Sequence, residues 1–225
     1  MKRYNKKRRG NKKVFLLILL LILILINFPK HLIKPSMDNS KDYSSILLLV
    51  NKDNKLDKDY KPDDLTVPNV NFSPNSIEEE HFLRKEASTA LEELFNAAKK
   101  DNIYLYSLSG YRSFSTQKAI YERTIKQQGR KHADEYVAKP GYSEHQTGLA
   151  MDVTTKDSYV AFENTPEAKW LSKNAYKYGF IIRYPLGKES ITGYSYESWH
   201  IRYVGKKASK EIFTKDLVLE QYLEK

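Results

Sequence analysis

The sequence predicts an α+β fold, a small and mostly antiparallel sheet with helices packed on it, in a single domain behind an N-terminal membrane helix. Three observations predict it. Apolar residues recur at helical intervals in separate stretches, several short segments alternate apolar and polar residues as strands do, and one unbroken apolar run follows a cationic tail. With 225 residues and 40% hydrophobic composition, the chain fills one substantial core once the leader is set aside.

The leader comes first. Met1 to Lys13 carries eight basic residues and no acid, and from Val14 to Ile26 every residue is Val, Phe, Leu or Ile, followed by Asn27-Phe28-Pro29. This is the layout of an export signal. As a helix the pure apolar run reaches about 20 Å at 1.5 Å per residue, short of a hydrocarbon core of roughly 30 Å. Phe28 extends it, and Lys12 and Lys13 can snorkel. No small-x-small cleavage site follows, so an uncleaved signal anchor is favoured over a removed signal peptide, with residues 14–28 in the lipid bilayer and the C-terminal part outside the cell. Cleavage would make the product secreted. Residues 1–28 are thus expected as basic tail and signal-anchor helix, 29–44 as a linker and 45–225 as the folded domain.

Ile46 to Val50 is expected as a short strand leading into that domain, and Asn51 to Ser73, rich in Asp, Lys, Pro and Asn, as an extended arm laid over it. Ser76-Ile77-Glu78-Glu79 has capping-box spacing, and Phe82, Leu91, Leu94, Phe95 and Ala98 recur at helical intervals, which predicts a helix over Ser76 to Lys100. Ile103 to Leu108 alternates as a strand. Ser115 to Gln127 reads as a helix closed by Gly129, and a short helical piece follows near Ala133 to Ala138. Leu149, Met151 and Val153 alternate with Ala150, Asp152 and Thr154, a strand with Asp152 on its less apolar face. Pro166 to Tyr178 is expected as a helix ending at Gly179. Ile181 to Tyr184 and His200 to Val204 complete the sheet.

Charge and composition exclude several classes. The net charge of +10 falls to about +2 after Lys13, too little for a nucleic-acid face, and the seventeen tyrosines are dispersed rather than clustered as a stacking platform. No nucleic-acid partner is expected. The absence of cysteine removes disulfides, thiol nucleophiles and thiolate metal ligands together.

What remains is nitrogen and oxygen chemistry. His145, Asp152 and His200 suffice to hold a zinc ion with its fourth position open, and Glu197, in Glu197-Ser198-Trp199-His200, is left over as a general base. For this the chain must turn back between His145 and Asp152, and Gly148 permits the reversal. A regular strand would point Glu197 and His200 to opposite faces, so a turn or bulge just before His200 is required. Arg112, on the loop after a strand, suits a substrate carboxylate or a developing oxyanion. Taken singly each residue has an ordinary structural reading. His31, His81 and His132 keep it, and Glu144 is expected to face solvent on a turn.

Ser109-Gly110-Tyr111-Arg112-Ser113 with Gln117, the segment Ser143 to Asp152, and Glu197-Ser198-Trp199-His200 together resemble the VanY-type D-alanyl-D-alanine carboxypeptidase family, which includes peptidoglycan LD-carboxypeptidases. The resemblance covers roughly Ile46 to Val204. It implies zinc ligands at His145, Asp152 and His200, a base at Glu197, transition-state or carboxylate contacts from Arg112, and substrate contacts from Gln117 and Ser143. The activity it implies is removal of the terminal D-alanine from peptidoglycan stem peptides. Its rivals are an LD-carboxypeptidase acting on tetrapeptide stems and a non-catalytic zinc-containing wall-binding module.

Overall fold

The computed structural model describes residues 45–157 and 161–224. The cationic tail, apolar run and linker expected over residues 1–44 lie outside the described residues. Among those described, no helix is long and apolar enough to cross a membrane.

In chain order the strands are β1 (Leu65–Thr66), β2 (Leu83–Arg84), β3 (Tyr106–Ser109), β4 (Ala150–Thr154), β5 (Phe180–Tyr184) and β6 (Glu197–Tyr203). The α-helices are α1 (Lys85–Lys100), α2 (Phe114–Gln128), α3 (Arg130–Tyr136), α4 (Pro166–Asn174), α5 (Glu189–Thr192), α6 (Gly205–Thr214) and α7 (Leu219–Leu223). β3, β4, β6 and β5 form an antiparallel sheet in that spatial order, and β1 pairs with β2 in a separate two-stranded ladder. The fold is α+β with small antiparallel sheets.

Strand alternation separates two faces. Leu149, Met151, Val153, Ile201 and Tyr203 enter the main core against Ala87, Leu91, Leu94 and Ala98 of α1 and Ala168 and Leu171 of α4. The spacing of the α1 residues, four then three then four, is that of one helical stripe. Each fully buried leucine contributes about 1.5–3 kcal/mol. The opposite face of β4 and β6 carries Asp152, His200 and Arg202, outside this cluster. A smaller core gathers Ile181, Val204, Ala208, Ile212 and Leu219, with Leu47 and Leu49 packed against it.

Three expected elements are corrected. The helix predicted from Ser76 starts only at Lys85, preceded by a 3₁₀ turn over Glu78–His81 and by β2. Its first turns are given up to tertiary bonds: Gly110 N donates to Glu80 O at 2.7 Å, Tyr111 N to Phe82 O at 2.7 Å, and Arg84 N to Gly148 O at 2.8 Å. The Ser76 hydroxyl donates to Ser73 O instead of capping a helix. Ile46 to Val50 forms no strand, because the Ile46 and Leu48 carbonyls accept from the buried Arg202 guanidinium. Pro166 to Tyr178 divides into α4 and a 3₁₀ turn over Ala175–Tyr178. The arm from Asn51 to Ser73 is tied down by the Gln146 amide, which donates to Asp57 O and Tyr60 O.

Candidate metal centre and active site

Sheet register supplies the first pair of donors. Asp152 of β4 lies directly opposite His200 of β6, and side chains so placed sit about 4.5–5.5 Å apart at Cβ. Asp152 Oδ1 is 3.0 Å from His200 Nδ1. The third donor arrives from a 3₁₀ turn, Glu144–Thr147, entered through Ser143, whose hydroxyl accepts from His145 N, and closed by Gly148 at φ 65°. His145 Nε2 then lies 3.4 Å from Asp152 Oδ2. Its ring meets that of His200 edge-on at 4.9 Å.

Glu197 joins them through an irregularity in β6. Ile182 pairs with Ile201 and Tyr184 with Glu197, so two steps on β5 oppose four on β6. The extra length is a bulge of the kind the spacing demanded, and it brings Glu197 Oε2 to 3.8 Å from His200 Nδ1.

The donor set fits a zinc ion. One atom each from His145, Asp152 and His200 lies within 4.8 Å of the others. Ligand atoms around a tetrahedral ion with bonds of about 2.0–2.1 Å are roughly 3.3 Å apart, comparable to the spacings here. Asp152 Oδ1 is buried and accepts no well-aligned hydrogen bond, although His200 faces it. Atoms so arranged suit a shared cation better than a shared proton. The far nitrogen of each imidazole is engaged elsewhere, Nδ1 of His145 with Gly110 O at 2.8 Å and Nε2 of His200 facing Glu144 Oε2 at 3.5 Å. Among the described residues His81 and His132 lie outside the cluster. His81 stacks on Phe72 and His132 packs against Tyr136.

Electrostatics differ sharply between neighbours in the metal-free chain. Burial, reinforced by the Arg112 charge, holds His145 down to about 3. Burial would also lower His200, but the carboxylates of Asp152 and Glu144, with Glu197, lift it to about 9. Asp152 is kept well below the usual carboxylate range, because His145, His200 and Arg112 outweigh its burial. Burial pushes Glu197 up to about 7, with Asp152 adding to it and His200 and Arg112 opposing.

Arg112 stands at the end of β3 beside this cluster. Its Nε donates to Glu80 at 3.0 Å, Nη1 to Gln117 Oε1 at 2.9 Å and Nη2 to Ser109 Oγ at 2.7 Å. Three of the five guanidinium protons are thereby spent on orientation, and Nη2 also stands 3.7 Å from Asp152 Oδ2. Gln117 is buried, and its amide nitrogen donates to Ala138 O, so it braces Arg112 from inside the protein. Ser143 is buried at the foot of the turn carrying His145. Arg112, Gln117 and Ser143 line one cavity of about 210 Å³ with His145, Asp152, Glu197 and His200, and Val137, Ala138, Tyr184, Tyr194 and Trp199 complete its wall. A larger groove of about 290 Å³, lined by Phe180, Ile212 and Phe213 among others, contains none of the cluster.

Glu144 departs from its expected place. It is fully buried, with Oε1 accepting from Arg183 Nε at 2.8 Å and from Arg202 Nη1 at 2.6 Å. A carboxylate here needs such partners, since burial opposes its charge, and the two guanidiniums hold it well below its usual range. Reading the turn alone gave no sign of them, because they lie on β5 and β6. Tyr184, Tyr194 and Trp199 also wall the cavity, Trp199 from within Glu197-Ser198-Trp199-His200 and the two tyrosines with no motif of their own to mark them in the sequence.

Comparison with known proteins agrees with this geometry. The family described as VanY, D-alanyl-D-alanine carboxypeptidase, matches residues 80–206. YodJ of Bacillus subtilis (strain 168), which carries the name of a carboxypeptidase, is 49% identical over 193 residues, spanning 84% of this chain and 71% of its own length. The LdcB LD-carboxypeptidase structure, described as revealing the basis of peptidoglycan recognition, superposes with a TM-score of 0.77 at 50% identity, covering 82% of this chain and 88% of that one. A vancomycin-resistance D,D-pentapeptidase VanY in complex with Zn(II) gives 0.67 at 35% identity, covering 79% and 98%. With its donor cluster, its orienting arginine and this match over more than half its length, the chain belongs to the VanY D-alanyl-D-alanine carboxypeptidase family.

Proposed function

We propose that this protein is a zinc-dependent carboxypeptidase that releases the terminal D-alanine from peptidoglycan stem peptides. The observation that carries this reading is the convergence of His145, Asp152 and His200 within 4.8 Å, with Glu197 beside them, in a cavity that Arg112 also lines. A zinc ion held by these three side chains supplies Lewis-acid polarisation and a water of lowered pKa. Glu197 takes the proton of the attacking water and returns it to the departing amine. Its place 3.8 Å from His200 within the same cavity suits both transfers. Arg112, already aligned by Glu80, Gln117 and Ser109, binds the free carboxylate of the substrate with its remaining donors. Gln117 and Ser143 act within this assembly by holding Arg112 and the His145 turn in place.

The residue before the scissile bond separates two readings. The family description supports D,D-cleavage of pentapeptide stems. One specific observation favours cleavage after an L-centre in tetrapeptide stems: identity to the LdcB LD-carboxypeptidase is 50%, against 35% to the D,D-pentapeptidase. Incubating the purified protein with defined pentapeptide and tetrapeptide stems and weighing the products decides between them. Loss of D-alanine from neither stem overturns the proposal as a whole, including its preference over a wall-binding module that lacks turnover.

The same proposal places the protein on the cell membrane, anchored through residues 14–28 with the domain outside. The apolar run behind eight basic residues supports this reading. Full-length protein is expected in the membrane fraction after alkaline washing, and its release into the medium would show that the leader is removed.

A further inference from the structure

Glu144 has no part in the chemistry proposed above, yet its side chain is wholly enclosed beneath the cavity. While Oε1 is held by Arg183 and Arg202, Oε2 faces His200 Nε2 at 3.5 Å. His200 presents its other nitrogen, Nδ1, to Asp152 and Glu197. A neutral imidazole has one ring proton; if Nδ1 is to ligate, that proton sits on Nε2, pointing at Glu144. The Tyr184 ring, 5.0 Å away between centroids, flanks the same imidazole.

The contacts continue away from the site. Arg183 Nη1 and Nη2 donate to the two carboxylate oxygens of Glu220 at 2.9 and 2.6 Å, and Glu220 accepts in turn from Asn51 Nδ2 at 3.2 Å. Arg202 Nη2 donates to Ile46 O at 3.1 Å and Leu48 O at 2.8 Å. Glu220 belongs to α7, and residues 46–51 lead into the domain. Both segments fall outside residues 80–206, the part that matches the family. Two carboxylates and two guanidiniums balance in charge, but such a buried set is a weak source of stability, because apolar side chains of similar volume often serve as well or better. Its advantage is fixed geometry, and the group whose geometry it fixes is a proposed metal ligand.

We infer that Glu144 is a positioning residue for His200, and that Arg183 and Arg202 connect it to the two flanking segments, so that α7 and residues 46–51 help to set how tightly the site holds its metal. This rests on the zinc reading above. The physical basis is general: a carboxylate on the distal N–H of a ligating histidine fixes the tautomer and ring rotation and makes the ligand more basic.

The test is metal affinity, measured on the folded full-length chain by competition with a chelating dye, together with the visible spectrum of the Co(II)-loaded protein. Glu144→Gln is expected to weaken zinc binding about 10- to 100-fold and to alter the cobalt spectrum. Glu220→Gln, a substitution two side chains away, is expected to weaken it less but measurably. Leu171→Ala, a core change remote from the site, serves as the control: it lowers the melting temperature and leaves affinity and spectrum unchanged. If Glu144→Gln fails to fold, Glu220→Gln decides. Wild-type affinity and spectrum in the deciding variant overturn the inference, whereas a wild-type chain that binds no zinc overturns the zinc reading itself.

Discussion

Glu197 and His200 are three residues apart, and their different affinities for a proton come from what surrounds them. Burial leaves Glu197 able to bind a proton near neutrality, while carboxylates on two sides hold a proton on His200 up to about 9 in the metal-free chain. A group whose folded pKa is raised favours its protonated form, so the contribution of His200 to metal-free stability is complete below about 6.5 and lost as pH rises through 9. On the zinc reading, the ion would have to displace that proton. Its apparent affinity is therefore expected to climb by about tenfold per pH unit from neutrality towards 9, which titration calorimetry in buffers of different ionisation enthalpy measures as proton release. Glu197→Gln is expected to keep the metal and lose about 10²–10⁴ in kcat, read from D-alanine release, together with the acid limb of the pH profile. At this scale the types of residue needed for a metal site were legible in the sequence, as was the need for a bulge before His200. Glu144 was not, because its partners are 39 and 58 residues away and a turn read locally gives no hint of them.

Among the elements, the turn between His145 and β4 has little freedom. Gly148 adopts φ 65°, and an added Cβ would stand 2.8 Å from Leu65 Cδ2 and 3.2 Å from Arg84 Cγ. Gly148→Ala combines backbone strain with that clash. It is expected to cost about 1–3 kcal/mol in urea unfolding of the metal-free chain and to weaken zinc binding by moving His145 relative to Asp152. Leu94→Ala in α1, by contrast, is expected to cost about 2–5 kcal/mol in the same unfolding assay while the folded fraction binds metal normally. Periodicity revealed α1 and the central strands because their apolar stripes are local signals. It overran the start of α1, where the carbonyls of Glu80 and Phe82 turn away to meet Gly110 and Tyr111. A capping box is a statement about four residues, and here a loop some thirty residues onward outbid it.

Among the described residues the main core lies on one face of the sheet and the donor cluster on the other, so stability and metal binding are expected to be coupled chiefly through ligand linkage. Zinc at a thousandfold excess over its dissociation constant adds about 4 kcal/mol to the folded state. Chelation is therefore expected to lower the melting temperature of the wild-type chain, and to do so less in a variant with His145→Ala, as calorimetry would show. The α+β class followed from the alternation of helical and strand patterns. The contribution of the chain's two flanks did not, since α7 and residues 46–51 carry no motif and acquire their significance only on contact with Arg183 and Arg202. That arrangement has a mechanical side. The backbone enters the domain at Ile46 and Leu48, whose carbonyls rest on the Arg202 guanidinium next to Glu144. Tension applied at residue 45 would thus load two things together, the packing of Ile46, Leu47 and Leu49 on the apolar cores and the guanidinium that lies next to Glu144 under His200.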